Sequence, residues 1–377
     1  MLIPRSAEEI TPEWLASALG RDDIAGVAIE DAGGMRGFAG AVLRLRLDIE
    51  GRGGHAGGTG AETLIAKLPG VDRFDAALAE SAYVAYATEV EWYRELRSRC
   101  PVRAPHPYWL GAQADEGRFC LLLEDLAALE EADHATGASD EQAFEAVRTL
   151  GRLHAAHWPQ TTALPVRFAD RTATARRAEA AAGALTFGWE HVFATFGPLM
   201  PDHLLAARPL LEDALPRLGD TFRGPATLIH GDYKVENLLF GAAPPPERVA
   251  VLDWQATGCG FGAEDLARFL GTSVASERRR RLERELLEAY RDVLAANGVA
   301  SYAFDDLWHD YRAALLIELG RTIGGARHAA EGTFASTDPA RQRAVEEQVR
   351  TGLERRIDAI VHSGALELLD EARRAAG

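Results

Sequence analysis

The most informative segment of the sequence is Leu228-Ile229-His230-Gly231-Asp232-Tyr233-Lys234-Val235-Glu236-Asn237. A second string follows it, Val251-Leu252-Asp253-Trp254-Gln255. Apolar residues lead into both strings, which predicts two short strands that each run into a polar segment. Asp and Asn are common in turns between strands, so a purely structural role is the alternative. The complete pattern, two carboxylates and an amide in this order beside apolar strands, favours a chemical role instead.

The order of these residues resembles the catalytic and metal-binding loops of the protein kinases, H-R-D-x-x-x-x-N and D-F-G. Gly231 stands where those kinases carry Arg, which makes the chain similar to the aminoglycoside-phosphotransferase-like family of small-molecule kinases. The two strings together also resemble the ecdysteroid-kinase-like branch. The resemblance implies an α+β, bilobal protein-kinase-like fold, with a small β-rich N-lobe that holds one long helix (1–125) and a larger, mostly helical C-lobe (126–377). It also implies that ATP and Mg²⁺ bind in the cleft.

The resemblance assigns a role to each polar residue of the motif. Carboxylate and amide oxygens hold Mg²⁺ against the phosphates of ATP, and Asp253 and Asn237 would supply them. Asp232 would orient the attacking hydroxyl and accept its proton. Lys234 occupies the position at which many Ser/Thr kinases have a lysine that contacts the γ-phosphate.

A lysine earlier in the chain adds to the nucleotide side of this prediction. Residues 63–68 form a short apolar run that is typical of a strand, and Lys67 lies within it. An amine inside an apolar strand is costly unless it meets an anion. The resemblance implies two such anions, the α- and β-phosphates of ATP and a glutamate on the next helix. An edge lysine that reaches out to solvent is the alternative.

Two glutamates compete for the place beside Lys67. A long helix is predicted over about 73–99, because its large apolar residues recur on one face: Tyr83, Tyr86, Val90 and Tyr93. Glu89 borders that face, whereas Glu91 lies further toward solvent. The string that starts at Glu89 also resembles the E-x-x-F-Y string of the ecdysteroid-kinase-like branch. We therefore predict that Glu89 is the partner of Lys67.

Backbone groups are expected to complete the nucleotide site. A glycine-rich turn spans residues 33–40, and its Gly34, Gly37 and Gly40 would leave N–H groups free to approach phosphates. A plain hairpin turn is the alternative. Residues 121–126 resemble the hinge between the kinase lobes, where the backbone around Glu124 to Leu126 would contact the adenine.

Apolar periodicity predicts most of the remaining elements. Strands at 42–49, 108–112 and 119–124 would build a small sheet within the first 125 residues. Beyond residue 126, helical patterns cover 140–158, 204–218, 277–297, 304–323 and 339–363, with one β-like patch at 227–255. Asp265 lies in a D-L-A string similar to one of the small-molecule branch, and we expect it to brace the catalytic loop.

Composition and charge exclude several classes of protein. Hydrophobic residues make up 47% and charged residues 26%, as in globular proteins, and the net charge of −16 disfavours nucleic acid as a partner. The three cysteines are scattered, and His154 and His157 lack an acidic third ligand, so no zinc site is expected and both histidines are predicted to pack or cap. No membrane span and no signal-peptide core is present, which predicts a cytoplasmic protein.

The sequence therefore predicts an ATP-dependent phosphotransferase that moves the γ-phosphoryl group to a hydroxyl of a small molecule. The alternative is a catalytically silent nucleotide-binding module. A protein kinase is disfavoured by the H-G-D string and by the missing A-P-E motif. The acceptor stays open among antibiotics, sterol-like alcohols, sugars, amino alcohols and hydroxyacyl thioesters. The oligomeric state also stays open, as does the role of Phe187 and Trp189, which are either core or substrate wall.

Overall fold

The computed structural model describes residues 1–32, 40–50, 62–70, 76–158, 164–330 and 339–369. The chain divides into two compact units. The first contains Met1–Arg99, Ala104–Leu129 and Leu252–Ala256, and the second contains Cys100–Arg103, Glu130–Val251 and Thr257–Gly377. The division at residue 125 that the sequence suggests stays a prediction.

The first unit is built on one antiparallel sheet. Its strands are β1 (Ile24–Asp31), β2 (Gly40–Ile49), β3 (Glu62–Pro69), β4 (Pro107–Gln113) and β5 (Arg118–Glu124), in the order β1-β2-β3-β5-β4. Alternation along β2 and β3 buries one face, with Leu45, Leu47, Leu64 and Leu68 in its core. The sequence predicts four of these strands. It misses β1, whose side chains are mostly exposed or half-buried and carry little apolar signal.

Two helices complete the first unit. Helix α1 (Pro12–Leu19) begins at Thr11, whose hydroxyl accepts from the amide of Trp14 at 3.2 Å. Helix α2 (Ala76–Glu91) ends earlier than predicted, because the chain widens into a π-helical turn at Trp92–Leu96 and a 3-10 turn at Arg97–Arg99. Trp92 is fully buried there and stacks on Trp254 with ring centroids 3.7 Å apart. Apolar spacing alone does not register this change of pitch.

The second unit is mainly helical. Its strands are short: β6 (Glu130–Glu131), β7 (Thr227–Ile229), β8 (Leu238–Phe240), β9 (Val249–Val251) and β10 (Gly258–Gly260). Its helices are α3 (Asp140–His157), α4 (Ala173–Phe196), α5 (Asp202–Ala206), α6 (Arg208–Leu218), α7 (Gly262–Thr272), α8 (Ser276–Ala296), α9 (Phe304–Ala330) and α10 (Pro339–Ser363). Throughout the described ranges, no helix is both long and apolar enough to cross a membrane.

Most of the predicted helices of the second unit are present, with three differences. The segment predicted at 204–218 is two helices, α5 and α6, and Pro209 lies in the first turn of α6, where proline favours a helix start. Helices α4 and α7 were not predicted. The 24 residues of α4 have many alanines and few large apolar side chains, so their periodicity is weak.

Helices α4 and α9 pack closely because small residues lie where they meet. A Cβ atom on Gly188 would clash with the carbonyl oxygen of Ile323, and one on Gly320 would clash with the carbonyl oxygen of Ala181. Gly183 differs, since no heavy atom of the described residues lies within 4 Å of the place where its Cβ would be. The two backbones therefore approach closely on one face of α4 only.

We expect Gly188→Ala to lower the free energy of unfolding by about 1–3 kcal/mol, because the added methyl group forces the two helices apart. Gly183→Ala, on the same helix, is the matched control. It has room for the methyl group, and the better helix propensity of alanine should raise the free energy by up to about 1 kcal/mol. Urea unfolding followed by circular dichroism measures both. Equal effects of the two substitutions would contradict this account of the packing.

Candidate active site

A lysine between two carboxylates marks the site in the first unit. Lys67 donates to Glu89 Oε1 at 2.8 Å, to Glu89 Oε2 at 2.6 Å and to Asp253 Oδ1 at 2.8 Å. Three residues that lie far apart in the sequence thus meet at one amine. The structure brings together Lys67 and Glu89, the pair that the sequence predicts, and adds Asp253 to it.

The pleat of β3 places Lys67 in this cluster. Leu64, Ala66 and Leu68 alternate with it and fill the core on the opposite face of the sheet. Glu89, on the last turn of α2, is fully buried, so its carboxylate can hold a charge only beside a cation.

The charges of this cluster support one another. Burial alone would lower the pKa of Lys67, but the charges of Asp253 and Glu89 outweigh it and hold that pKa above its ordinary value. Burial raises the pKa of the Glu89 carboxyl, against the attraction of Lys67. The lysine is therefore firmly charged, with one carboxylate buried and one partly open to solvent.

Asp253 has a backbone conformation that is unusual for a residue other than glycine. Its φ is +65°, and asparagine and aspartate tolerate this region better than bulky residues do. The next residue, Trp254, is fully buried against Trp92, and the Gln255 side-chain amide donates to Asp253 Oδ2 at 3.2 Å. These contacts hold the carboxylate on Lys67. Such conformations persist where the surroundings enforce them, often at functional sites.

The site in the second unit is a loop that follows β7. Gly231 has φ +79°, which favours glycine, and the chain turns there into Asp232. The Asp265 carboxylate accepts from the amides of His230 at 2.7 Å and Gly231 at 2.8 Å. Asp265 thus braces the loop, as the sequence predicts.

His154 supports that brace through both of its ring nitrogens. Its Nε2 lies 3.2 Å from Asp265 Oδ2 and its Nδ1 lies 2.9 Å from the Tyr290 hydroxyl, with the ring fully buried. The predicted packing role for His154 is therefore present in the structure. Burial opposes the charge of Asp265, but the bonds from His154 and from the His230 amide keep the pKa of Asp265 below its ordinary value.

Asp232 is surrounded by donors. Its Oδ1 accepts from two nitrogens of Arg268, Nε at 2.8 Å and Nη2, and its Oδ2 lies 3.1 Å from the Lys234 amine and 3.2 Å from Asn237 Nδ2. Burial would raise the pKa of Asp232, but the charges of Lys234 and Arg268 lower it well below its usual range. The carboxylate is therefore fully ionised and is a weak base.

Arg268 is the residue of this site that the sequence analysis misses. It lies on α7, three positions after Asp265, and so on the same side of the helix as the brace of the loop. That spacing was the available signal, but it needed α7 to be predicted first. A second bond from Arg268, to Glu318 Oε2 at 2.7 Å, fixes its guanidinium group.

The contacts of Asn237 show which end of its side-chain amide is the nitrogen and which is the oxygen. Its Nδ2 donates to the Asp232 carbonyl at 2.9 Å, so its side-chain oxygen faces the other way. A carboxylate at Asp253 and an amide oxygen at Asn237 are hard oxygen donors of the kind that Mg²⁺ takes. Among the described residues, no cluster of three or more His, Cys, Asp or Glu forms a self-sufficient metal site. By its chemistry, each of these two oxygen donors fits such an ion.

The predicted backbone contacts are only partly described. Gly34 and Gly37 lie outside the described residues. Gly40 begins β2, and a Cβ there would clash with the carbonyl oxygen of Leu68, so the sheet itself requires this glycine. The Glu124 amide donates to the His106 carbonyl at 2.8 Å, and the Leu126 carbonyl accepts from the Leu129 amide at 2.9 Å. Their contacts with an adenine stay a prediction.

The chain belongs to the phosphotransferase enzyme family, whose model matches residues 55–304, more than half of its length. Among solved structures it is similar to a protein of Ralstonia eutropha JMP134 provisionally classed as an aminoglycoside phosphotransferase. That match has 14% identity and a TM-score of 0.53, covering 92% of this chain and 96% of the other. It is also similar to a GDP complex of a mutant aminoglycoside 2'-phosphotransferase-IIIa, with 14% identity, a TM-score of 0.51 and coverage of 96% and 95%.

The search of curated proteins gives no significant match. The family and structure matches confirm the predicted aminoglycoside-phosphotransferase-like family and the protein-kinase-like fold class. The closer resemblance to the ecdysteroid-kinase-like branch stays a prediction. At these identities the solved structures bear on the fold alone.

We expect Asp265→Asn to cost about 3 kcal/mol of unfolding free energy at pH 7, because a neutral amide cannot accept from all the donors that the carboxylate serves. The folded-state pKa of Asp265 lies below its ordinary value of 3.8. The stabilisation is therefore present above about pH 4 and is lost as the pH falls through the folded-state pKa. The gap between wild type and variant should be constant from pH 8 to about pH 4 and shrink below it.

Urea unfolding at a series of pH values measures this gap. Asp213→Asn is the control, since Asp213 pairs with Arg217 at 2.7 Å on the surface and should change stability by less than about 0.5 kcal/mol. If the difference in unfolding free energy between wild type and Asp265→Asn did not change with pH, the charge of Asp265 would not be what braces the loop.

Proposed function

We propose that the protein transfers the γ-phosphoryl group of ATP to a hydroxyl of a small molecule. The observation that carries the proposal is the buried cluster of Lys67 with Glu89 and Asp253, in a chain that belongs to the phosphotransferase enzyme family. Asp253 is the partly exposed partner, so its carboxylate can leave the amine for a metal ion and an anion can take its place on Lys67.

On the nucleotide side, Lys67 binds the α- and β-phosphates and Glu89 keeps the amine in position. Asp253 and Asn237 would each hold Mg²⁺, through a carboxylate oxygen and an amide oxygen. When bound, Mg²⁺ offsets the charge that develops on the phosphates. The backbone around Gly34, Gly37, Gly40, Glu124 and Leu126 contacts the phosphates and the adenine.

On the acceptor side, Asp232 accepts a hydrogen bond from the hydroxyl and orients it. The hydroxyl oxygen forms a bond to the γ-phosphorus while the bond from that phosphorus to the β–γ bridging oxygen breaks, and ADP leaves. The hydroxyl proton passes to the Asp232 carboxylate. Because the pKa of Asp232 is so low, the proton moves only as the new O–P bond forms and the attacking oxygen becomes acidic.

Lys234 has to move for this reaction. The two Arg268 contacts, Lys234 and Asn237 use the acceptor capacity of both Asp232 oxygens, so an incoming hydroxyl must replace one donor. Lys234 is half-buried, its contact with Asp232 is 3.1 Å long, and its amine is carried on a flexible stem. Its transfer to the γ-phosphate frees one lone pair of Asp232 for the acceptor.

Two substitutions separate binding from chemistry. Asp253→Asn should abolish the magnesium-dependent rise in melting temperature that ATP produces in the wild type, a rise that corresponds to about 2.7 kcal/mol at 100 times the Kd. Asp232→Asn should keep that rise and lose at least about 1,000-fold in phosphoryl transfer, because the hydroxyl is no longer oriented and its proton has no acceptor. Scanning fluorimetry and a coupled assay of ADP release measure the two effects.

Asp213→Asn serves again as the surface control and should match the wild type in both assays. Wild-type transfer in Asp232→Asn would contradict the proposed function. An ATP-dependent rise in the wild type without transfer to any hydroxyl compound would favour the silent nucleotide-binding module.

A further inference from the structure

An open cavity of about 560 Å³ lies along helices α4 and α9 of the second unit. One face of α4 lines it with Arg177, Ala180, Gly183, Ala184 and Phe187, and α9 lines it with Arg321, Gly324 and Gly325. The groove follows α4 from Arg177 to Phe187 for about 15 Å, given a rise of 1.5 Å per residue. That is longer than an extended eight-carbon chain.

Two of the lining glycines are not required by the packing of the helices. For Gly183 and Gly325, no heavy atom in the described part of the chain lies within 4 Å of the position of a Cβ. Glycine inside a helix lowers helix stability, so these positions lose stability without any gain in contact. What they preserve is space, since a larger side chain at either position would project into the cavity.

Among the described residues, the charged ones that line the cavity are both arginines. Arg177 is matched by Glu264, with its Nε 2.7 Å from Glu264 Oε2. Arg321 is half-exposed and shares Glu318 with two other arginines, Arg268 and Arg356. At the far end of the groove, Arg327 lies over the half-exposed ring of Phe187, 3.8 Å from its centroid. The lining therefore combines apolar surface with positive charge.

Arg321 connects this cavity to the catalytic loop. Its Nη2 lies 3.5 Å from the Gly231 carbonyl, next to Asp232, and its Nη1 lies 2.5 Å from Glu318 Oε1. Glu318 in turn holds Arg268, which holds Asp232. A molecule in the cavity that contacts Arg321 thus touches a side chain that itself contacts Gly231, the residue next to the candidate base Asp232.

This chain of contacts carries an excess of positive charge. Four cations, Lys234, Arg268, Arg321 and Arg356, contact two carboxylates, Asp232 and Glu318, and a third carboxylate, Glu236, attracts Lys234. Burial lowers the pKa of Arg356 to about 10, against the attraction of Glu318, and the charges of Arg268 and Arg321 add to that lowering. An anion bound beside Arg321 would offset the excess, whereas a cation would add to it.

We propose that the cavity between α4 and α9 binds the acceptor, and that the acceptor is a hydroxyl compound with an apolar body and an anionic group, a carboxylate or a phosphate. The apolar body lies along Gly183, Gly325 and Phe187, and the anionic group and the hydroxyl lie together at the end of the cavity that Arg321 lines, where the hydroxyl reaches Asp232. This inference rests on the proposed function. It selects one acceptor class, because a polycationic acceptor would be repelled by the same arginines.

A series of eight-carbon alcohols that differ in charge tests the proposal. The probes carry the hydroxyl next to the group that varies: 2-hydroxyoctanoate, 2-hydroxyoctyl phosphate, octane-1,2-diol and 1-amino-2-octanol. Each is titrated into the Mg·ADP complex by calorimetry at low salt, where screening is weak. We expect at least one of the two anions to bind at least 10-fold more tightly than the diol, and the amino alcohol to bind most weakly. Whichever of the two anions binds more tightly identifies the anionic group of the acceptor as a carboxylate or a phosphate.

Two variants locate the site. Arg321→Gln should weaken the binding of the two anions about 10-fold and leave the affinity for the diol unchanged. Gly325→Leu should weaken the binding of all four probes at least 10-fold, because its side chain fills the cavity. Arg217→Gln is the matched control for the arginine, since Arg217 lies on the surface of α6 paired with Asp213. Each variant must keep the melting-temperature rise with Mg·ATP, which shows that it is folded.

The amino alcohol binding as tightly as the anions, no preference within the series, or wild-type affinities in Gly325→Leu would each overturn the proposal. Failure of the proposed function is distinguishable. In that case the anions bind with the expected preference but receive no phosphate, whereas phosphate transfer to a neutral or cationic acceptor would leave the function standing and remove this inference.

Discussion

The buried carboxylate of Asp265 is the interaction on which the second unit depends. It accepts from the amides of His230 and Gly231 and from the ring of His154, all of which are buried. Without it, two backbone amides at the tightest point of the loop would lose their partners, which is costly in a buried setting. Because Asp265 lies in the first turn of α7, the same helix also brings Arg268 to Asp232. One carboxylate thus fixes both the position and the charge state of the next.

The local charge around Asp232 and the net charge of the protein have opposite signs. The chain has a net charge of −16, yet the buried contacts around Asp232 contain more arginine and lysine than carboxylate. The acidic excess is spread over the surface, where water screens it, while the buried cations act at short range in a medium of low dielectric constant. The composition therefore says little about which small molecules this protein favours.

The sequence predicted what short-range patterns encode. The polar string from His230 to Asn237 and the pairing of Lys67 with Glu89 depend on motif order and on apolar spacing, and both are visible in one dimension. Arg268 and Glu318 were not predicted, because their meeting with Asp232 depends on the packing of α7 against α9. The early end of α2 was also missed, and it lies where Trp92 stacks on a ring from residue 254, a contact that apolar spacing does not encode.

Residues 252–256 belong to the first unit, although the chain on both sides of them belongs to the second. A ribosome releases the first 129 residues long before it reaches residue 256. Until then the nascent first unit lacks the Trp254 ring that stacks on Trp92, and Lys67 has only one of its two carboxylate partners, Glu89. The first unit therefore cannot complete its fold during synthesis until much of the second unit has also been made. A gene cut at residue 129 would encode a fragment that lacks part of its own core.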